Sequence, residues 1–194
     1  MKTALAILAG LIATFSTLPY LIDIVRRKTK PNIVSWFTWT LLTAIATAAA
    51  FASHAPRAAI LTLGGTICTA LVVVLGLKYG TAKLSLFDGL CQAGAILGLI
   101  LWLIFNSPAI ALVFTISIDF IAALPTLRHS WKKPSEETWQ TFMLGVVAST
   151  ITLISLSVYT FADLAFPIYL LLANGLLAAT IIYRRKQEGL SLAR

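Results

Sequence analysis

Charged residues are scarce in this chain: they make up 11% of its 194 residues, against roughly 25% in an ordinary soluble domain. Acidic residues are scarcest, with seven in all, and there are two histidines and two cysteines. Cys68 and Cys91 both lie in apolar runs, where free cysteine packs as a small apolar side chain. No nucleophile–base pair or metal-ligand spacing is present, so the sequence predicts no enzyme, no metal site and no cofactor.

Apolar residues fill the space that the charges leave, at 59% of the chain. A helix needs about 20 apolar residues to cross a bilayer, and the sequence has seven such runs with short connections. Pro31, Pro56, Pro108 and Pro134 each lie near the start of a run, where a missing N–H costs a helix little. The sequence therefore predicts an all-α membrane protein with seven spans, at about 3–25, 33–53, 57–77, 85–105, 108–127, 138–160 and 164–183.

Basic residues cluster at the ends of these runs. Thirteen of the fifteen Lys and Arg fall in the first-to-second, third-to-fourth and fifth-to-sixth connections and in the C-terminal tail, and only Lys2 and Arg57 fall on the other side. Positive residues stay on the cytoplasmic side of a membrane, so we expect the N-terminus outside and the C-terminus inside, in the plasma (inner) membrane. This clustering, despite a formal charge of +8, argues against a nucleic-acid partner.

Two segments of the chain match each other. The pattern L-P-x-L, a basic turn, then K-P-x-x-x-[ST]-W-x-T-aromatic, occurs at residues 18–39 and again at residues 124–142. Both copies lie where an odd span enters the cytoplasm and the next span leaves it, so the repeats are predicted to be parallel. We expect a first three-helix repeat in residues 1–80, a linker helix in 81–106, and a second three-helix repeat with a cytoplasmic tail in 107–194.

This 3+1+3 arrangement, with a proline near the cytoplasmic end of the first helix of each repeat, resembles the SWEET sugar transporters and the wider PQ-loop superfamily. Here Pro19 and Pro125 are followed by Tyr20 and Thr126, not by the glutamine that names the PQ-loop. The resemblance implies a small-solute transporter working by alternating access, in which one three-helix unit rocks against the other. The alternative is a non-transporting receptor, chaperone or lipid-binding module of the same fold. A polar cavity at mid-depth would favour the transporter.

Asp119 lies in the middle of the fifth predicted span, where a charged side chain costs about 2.5–3.5 kcal/mol on insertion scales. Either it faces a cavity as a proton or cation site, or it is a neutral acid hydrogen-bonded to a neighbouring helix. Cystinosin-type carriers associate an acid on this helix with proton coupling, and the resemblance implies that role for Asp119.

Four further residues are predicted to contact the solute. Asn174 lies in the middle of the seventh span, at a place similar to that of a substrate-binding asparagine in SWEET carriers, although an interhelical hydrogen bond would also account for it. The equivalent level of the third span holds no asparagine, and Thr66 lies there instead. Trp39 and its repeat partner Phe142 are expected to line the vestibule.

Several other positions carry simpler expectations. Pro19 and Pro125 are expected to act as matched hinges of an inner gate, or else as static bends. Trp36, Trp131 and Trp139 are expected in the interfacial aromatic belt. Asp23 is expected to pair with Arg26 and Arg27 at the interface, and Asp88 to be solvated. Gly94 and Gly98 predict close helix packing, either within the fold or across a homo-oligomer.

Overall fold

The computed structural model describes residues 2–52, 54, 56–104 and 108–192, and these ranges contain helices and turns but no β-strand. A short 3₁₀ helix, Pro134–Glu136, precedes the seventh α-helix. The described part of the chain forms eight α-helices: α1 (Lys2–Phe15), α2 (Leu18–Val25), α3 (Ile33–Ala52), α4 (Pro56–Tyr79), α5 (Leu86–Ile104), α6 (Pro108–Lys132), α7 (Trp139–Ser155) and α8 (Phe161–Gln187).

Five of the predicted spans are long and apolar enough to cross a membrane: α1 with α2, α3, α4, α6 and α8. The two remaining ones, in α5 and α7, are shorter apolar helices. Large apolar side chains such as Leu77 and Leu86 are exposed on the outside of the molecule, which is the arrangement expected for a surface in contact with lipid. The chain is therefore an all-α membrane protein.

The first span is broken at Ser16 and Thr17, between α1 and α2. Pro19 explains the break, because it has no N–H to donate to the carbonyl of Phe15 and its ring crowds that turn. Pro125, its repeat partner, lies inside a continuous α6. The matched prolines are thus accommodated in two different ways.

Four predicted span boundaries differ from the helix bounds by three residues or more, and two of them belong to the last span, predicted at 164–183 and found as Phe161–Gln187. The fifth span continues as helix to Lys132, beyond the predicted end at 127, so its basic residues lie on an additional helical turn. The sixth span, α7, ends at Ser155, five residues before the predicted end at 160. The last helix begins at Phe161 because Thr160 caps it by accepting a hydrogen bond from the backbone N–H of Asp163, a pairing typical of helix starts.

The helices pack in the same order in each half of the chain. In the first half, α4 packs against α1, α2 and α3, and in the second half α8 packs against α6 and α7. We call α1–α4 unit 1 and α6–α8 unit 2. The units meet through α1 against α7 and α3 against α6, while α5 packs beside α6 and α3. In unit 1, α4 therefore lies between the first span (α1 with α2) and α3. In unit 2, α8 lies in the same way between α6 and α7.

All four basic segments lie at one end of the molecule, which we call the basic end. The backbone N–H of Lys30 donates to the carbonyl of Glu136 at 2.9 Å, and that of Ala82 donates to Pro31 at 3.0 Å. Arg185 donates to the carbonyl of Pro134 at 3.2 Å. These bonds join the three basic connections and the start of the tail, as an odd number of spans requires.

Candidate functional site

A cavity of about 510 Å³ lies between unit 1 and unit 2. Helices α1, α3 and α4 of unit 1 and α6, α7 and α8 of unit 2 all contribute to its wall. The lining extends from Trp36 and Leu177 near the basic end to Leu61 and Phe166, which lie within about two turns of the helix starts at the opposite end. The cavity has the size of small-molecule sites in proteins, which are about 300–1,000 Å³.

Asp119 lies in the wall of this cavity. Its Oδ2 accepts a hydrogen bond of 2.6 Å from the Tyr169 hydroxyl on α8, and Trp39 of α3 lines the same cavity. Both sequence-based alternatives are therefore partly realised, since the acid is bonded to a neighbouring helix and also borders a cavity. The bond lies within unit 2, while the cavity that the carboxyl group borders is also lined by unit 1.

Asn174 also lines the cavity. Its Nδ2 donates to the carbonyl of Leu170, one turn earlier in the same helix, at 2.9 Å. The side chain packs against Gly145 of α7, so closely that a Cβ at that glycine would lie 2.6 Å from Oδ1. The hydrogen bond seen is therefore intrahelical, and the close contact with α7 depends on the absence of a side chain at Gly145.

Three of the four predicted solute contacts lie at the cavity and one does not. Trp39 and Phe142 line it together with Asn174. The Thr66 hydroxyl instead donates to the carbonyl of Thr62 at 3.0 Å and lies 3.2 Å from the Thr47 hydroxyl of α3. Thr66 is therefore not among the lining residues, and Thr62, Gly65 and Thr69 line the cavity from α4.

An aromatic cluster formed by Tyr20, Trp36 and Phe142 lies at the basic end of the cavity, whose wall includes Trp36 and Phe142. The ring centroids of Tyr20 and Trp36 are 4.6 Å apart, and those of Tyr20 and Phe142 are 6.4 Å apart, in an edge-to-face arrangement. Trp36 is only 3% exposed, so its prediction as a belt residue is wrong, whereas Trp131 is 53% exposed, as a belt residue should be. The cluster joins α2 and α3 of unit 1 to α7 of unit 2.

Beneath the aromatic cluster, a polar bridge of buried side chains connects the units. Tyr20 donates to Glu137 Oε2 at 2.8 Å, Thr138 donates to Asp23 Oδ2 at 2.9 Å, and the Thr29 and Thr138 hydroxyls are 2.6 Å apart. Asp23 is 5% exposed and Glu137 is fully buried. Asp23 is thus buried between the units, where the sequence predicted a pairing with Arg26 and Arg27 at the interface. The sequence analysis missed Glu137, although its place in the second repeat segment was a signal.

Asp88 is buried as well, contrary to the prediction that it is solvated. Its Oδ1 accepts from Asn32 at 2.9 Å, and its Oδ2 accepts from the backbone N–H of Ser85 at 2.6 Å. Arg128 donates to the Ser85 hydroxyl at 2.7 Å. These bonds tie the linker helix α5 to both units at the basic end.

The glycine spacing in α5 is used within the fold. A Cβ at Gly98 would lie 2.7 Å from Ile118 of α6, and one at Gly94 would lie 3.7 Å from Ile121. Of the two arrangements that the spacing allowed, the structure has the contact with α6.

Within the described residues, no three His, Cys, Asp or Glu side chains lie close enough to hold a metal ion. No family model, curated protein or solved structure matches this chain. The class that the fold defines is an all-α integral membrane protein with an interhelical cavity, and its function must be argued from that cavity.

Proposed function

We propose that the protein is a small-solute transporter of the SWEET/PQ-loop type that works by alternating access. The observation that carries the proposal is the cavity between unit 1 and unit 2, closed at the basic end by the aromatic cluster and the polar bridge. A carrier needs a solute site between two units that move relative to each other. A purely structural module of this size would gain stability from packing the same space solid.

Transport in this scheme requires the basic end to open. Opening separates Tyr20 and Trp36 of unit 1 from Phe142 of unit 2, and it breaks the bonds that Glu137 and Thr138 make across the units. These are the contacts that a rocking motion would exchange for others at the opposite end. Pro19, at the break between α1 and α2, is the proposed hinge of unit 1, and Pro125 is its counterpart in unit 2.

The orientation and the repeat belong to the same proposal. The basic end faces the cytoplasm, the N-terminus lies outside, and the protein is in the plasma membrane. Residues 1–80 and 107–194 form parallel repeats related by rotation about the membrane normal, with 81–106 as the linker. The common packing order of the two units supports this relation. The contacts between the units support it as well, since the first span of each unit packs against the second span of the other, α1 against α7 and α6 against α3.

Asp119 is the proposed proton or cation site of the transport cycle. It borders a cavity that both units line, and it accepts a hydrogen bond from Tyr169 of unit 2. A change in the charge of this carboxyl group would therefore alter the environment of a solute held between the units.

A disulfide across the polar bridge tests alternating access. The Thr29 and Thr138 hydroxyls lie 2.6 Å apart, close to the S–S separation of about 2.05 Å in a disulfide. The double variant Thr29→Cys/Thr138→Cys, in a background with Cys68→Ser and Cys91→Ala, should form a disulfide that locks the basic end shut. The wild-type protein is first screened in proteoliposomes for uptake of sugars, amino acids and vitamins, and the variant is then assayed with the transported solute. Uptake should stop on oxidation and return on reduction.

A matched control uses the Thr47→Cys/Thr66→Cys pair, whose hydroxyls lie 3.2 Å apart within unit 1. Its disulfide should leave uptake unchanged, since it does not cross between the units. Continued uptake by the oxidised Thr29–Thr138 pair would contradict alternating access. Solute binding without any uptake by the wild type would favour the receptor alternative.

A further inference from the structure

The charge of the cavity points to the chemistry of its ligand. Asp119 is the one ionisable side chain among the described residues of the lining. Its hydrogen-bond partner, Tyr169, is a neutral donor. An isolated charge in an apolar wall is costly unless it is paired, and the lining supplies no fixed cation to pair with it.

Five of the eight hydroxyl groups of the lining present acceptors to the cavity. Each of the five donates its single hydrogen to a backbone carbonyl three or four residues earlier, which leaves its oxygen lone pairs for a ligand. Thr14 donates to Gly10 at 2.9 Å, and Thr43 donates to Trp39 at 2.9 Å. Ser16, Thr62 and Thr69 also donate to backbone carbonyls of their own helices.

The amide of Asn174 offers a further acceptor. One of the two N–H groups of its Nδ2 donates to the Leu170 carbonyl, and its Oδ1 takes no hydrogen bond from the described residues. The indole Nε1 of Trp36, a potential donor, is buried without a partner rather than presented to the cavity. Aromatic side chains, Trp39, Phe142 and Phe166, complete the wall, and their ring faces attract cations.

We propose that the cavity binds an organic ammonium ion, that is, a protonated amine whose N–H groups donate to these oxygens and whose charge pairs with Asp119. This inference rests on the proposed function, because it takes the cavity as the solute site. A neutral sugar could donate to the same oxygens, but it carries no charge to pair with Asp119. The lining thus selects a different ligand class from the sugars that the resemblance suggests.

Three probes of nearly the same shape separate charge from hydrogen bonding: 2-phenylethylammonium, 2-phenylethyltrimethylammonium and 2-phenylethanol. Binding to the purified full-length protein is measured by calorimetry at neutral pH. We expect the ammonium to bind about tenfold or more tightly than the alcohol, as loss of a hydrogen bond to a charged group implies. The trimethylammonium probe, which has the charge but no N–H donors, should fall between them.

Asp119→Asn should abolish the preference for the ammonium over the alcohol. The control Ser117→Ala removes a hydroxyl from the same helix at an exposed position. This variant should retain the preference for the ammonium over the alcohol. Equal binding of ammonium and alcohol by the wild type would overturn the proposal even if Asp119→Asn fails to fold. So would retention of the preference in a folded Asp119→Asn protein, or binding of none of the three probes.

The outcomes also separate this proposal from the transport proposal. Selective binding of the ammonium without flux in proteoliposomes would support the ligand class and contradict transport. Flux of neutral solutes, with no preference for the ammonium probe, would support transport and contradict the ligand class.

Discussion

Gly145→Ala is the substitution whose effect the structure specifies most directly. The added Cβ would lie 2.6 Å from Oδ1 and 2.7 Å from Cγ of Asn174, well inside normal contact distances. The Asn174 amide would have to move, and it is held by its 2.9 Å hydrogen bond to Leu170. The change therefore perturbs both the contact between α7 and α8 and one wall of the cavity.

The expected loss of stability follows from three contributions. Overpacking a tight contact costs about 1–3 kcal/mol, and losing the Asn174 hydrogen bond costs about 1 kcal/mol. Replacing glycine by alanine inside a helix stabilises the helix by up to about 1 kcal/mol. The net effect should be a destabilisation of roughly 1–3 kcal/mol, or a decrease of several degrees in Tm.

Thermal unfolding can be followed with a thiol-reactive dye, because Cys68 is half-buried and Cys91 is buried in the folded protein. Gly175→Ala is the matched control. A Cβ there would meet only Val146, at 3.9 Å, so Tm should stay constant or rise slightly. Binding of 2-phenylethylammonium should weaken for Gly145→Ala and not for the control. Equal Tm values for the two variants would refute the argument.

Two further predictions concern the basic end and the orientation. Burial alone would raise the pKa of Glu136, but the hydrogen bond and charge of Lys30, with nearby cations, hold its pKa below the usual glutamate value. A carboxyl group whose pKa is lower in the folded state stabilises the protein at pH values above its pKa in the unfolded chain, and this stabilisation is lost as the pH falls through the folded-state pKa. Glu136→Gln should therefore reduce the loss of Tm at acidic pH. Glu188→Gln, at an exposed position, should not reduce it. Alkaline phosphatase, which folds only outside the cytoplasm, should be inactive when fused after Arg194, and an active fusion would contradict the proposed orientation.

Much of the helical architecture could be predicted from the sequence because lipid imposes a simple requirement. Every backbone N–H and C=O in the hydrocarbon core must be bonded internally, so long apolar runs become helices. Prolines placed the helix starts, as at Pro108, and the clustering of Lys and Arg correctly predicted that the basic segments lie at one end. Helix ends inside apolar stretches were less predictable, because Ser155 and Phe161 are set by local capping and turn geometry rather than by composition.

The candidate site could be predicted in part. Asp119, Asn174, Trp39 and Phe142 all lie at the cavity, because polar and aromatic residues deep in apolar helices turn away from lipid when a polar neighbour is available. Thr66 does not lie there. Successive residues of a helix differ by about 100° in direction, so depth in the membrane gives no information on facing until the neighbours of α4 are known.

The sequence by itself determined that this is a helical membrane protein with its basic segments at one end, since span length and charge placement are local properties of the chain. Only the tertiary structure decided that Asp23 and Asp88 are buried rather than solvated. Their partners Thr138 and Asn32 lie 115 and 56 residues away in the chain. It also decided that Glu137 and Tyr20 close one end of the cavity. Such contacts join the two units to each other or to α5, and no local pattern specifies which helical surfaces will meet.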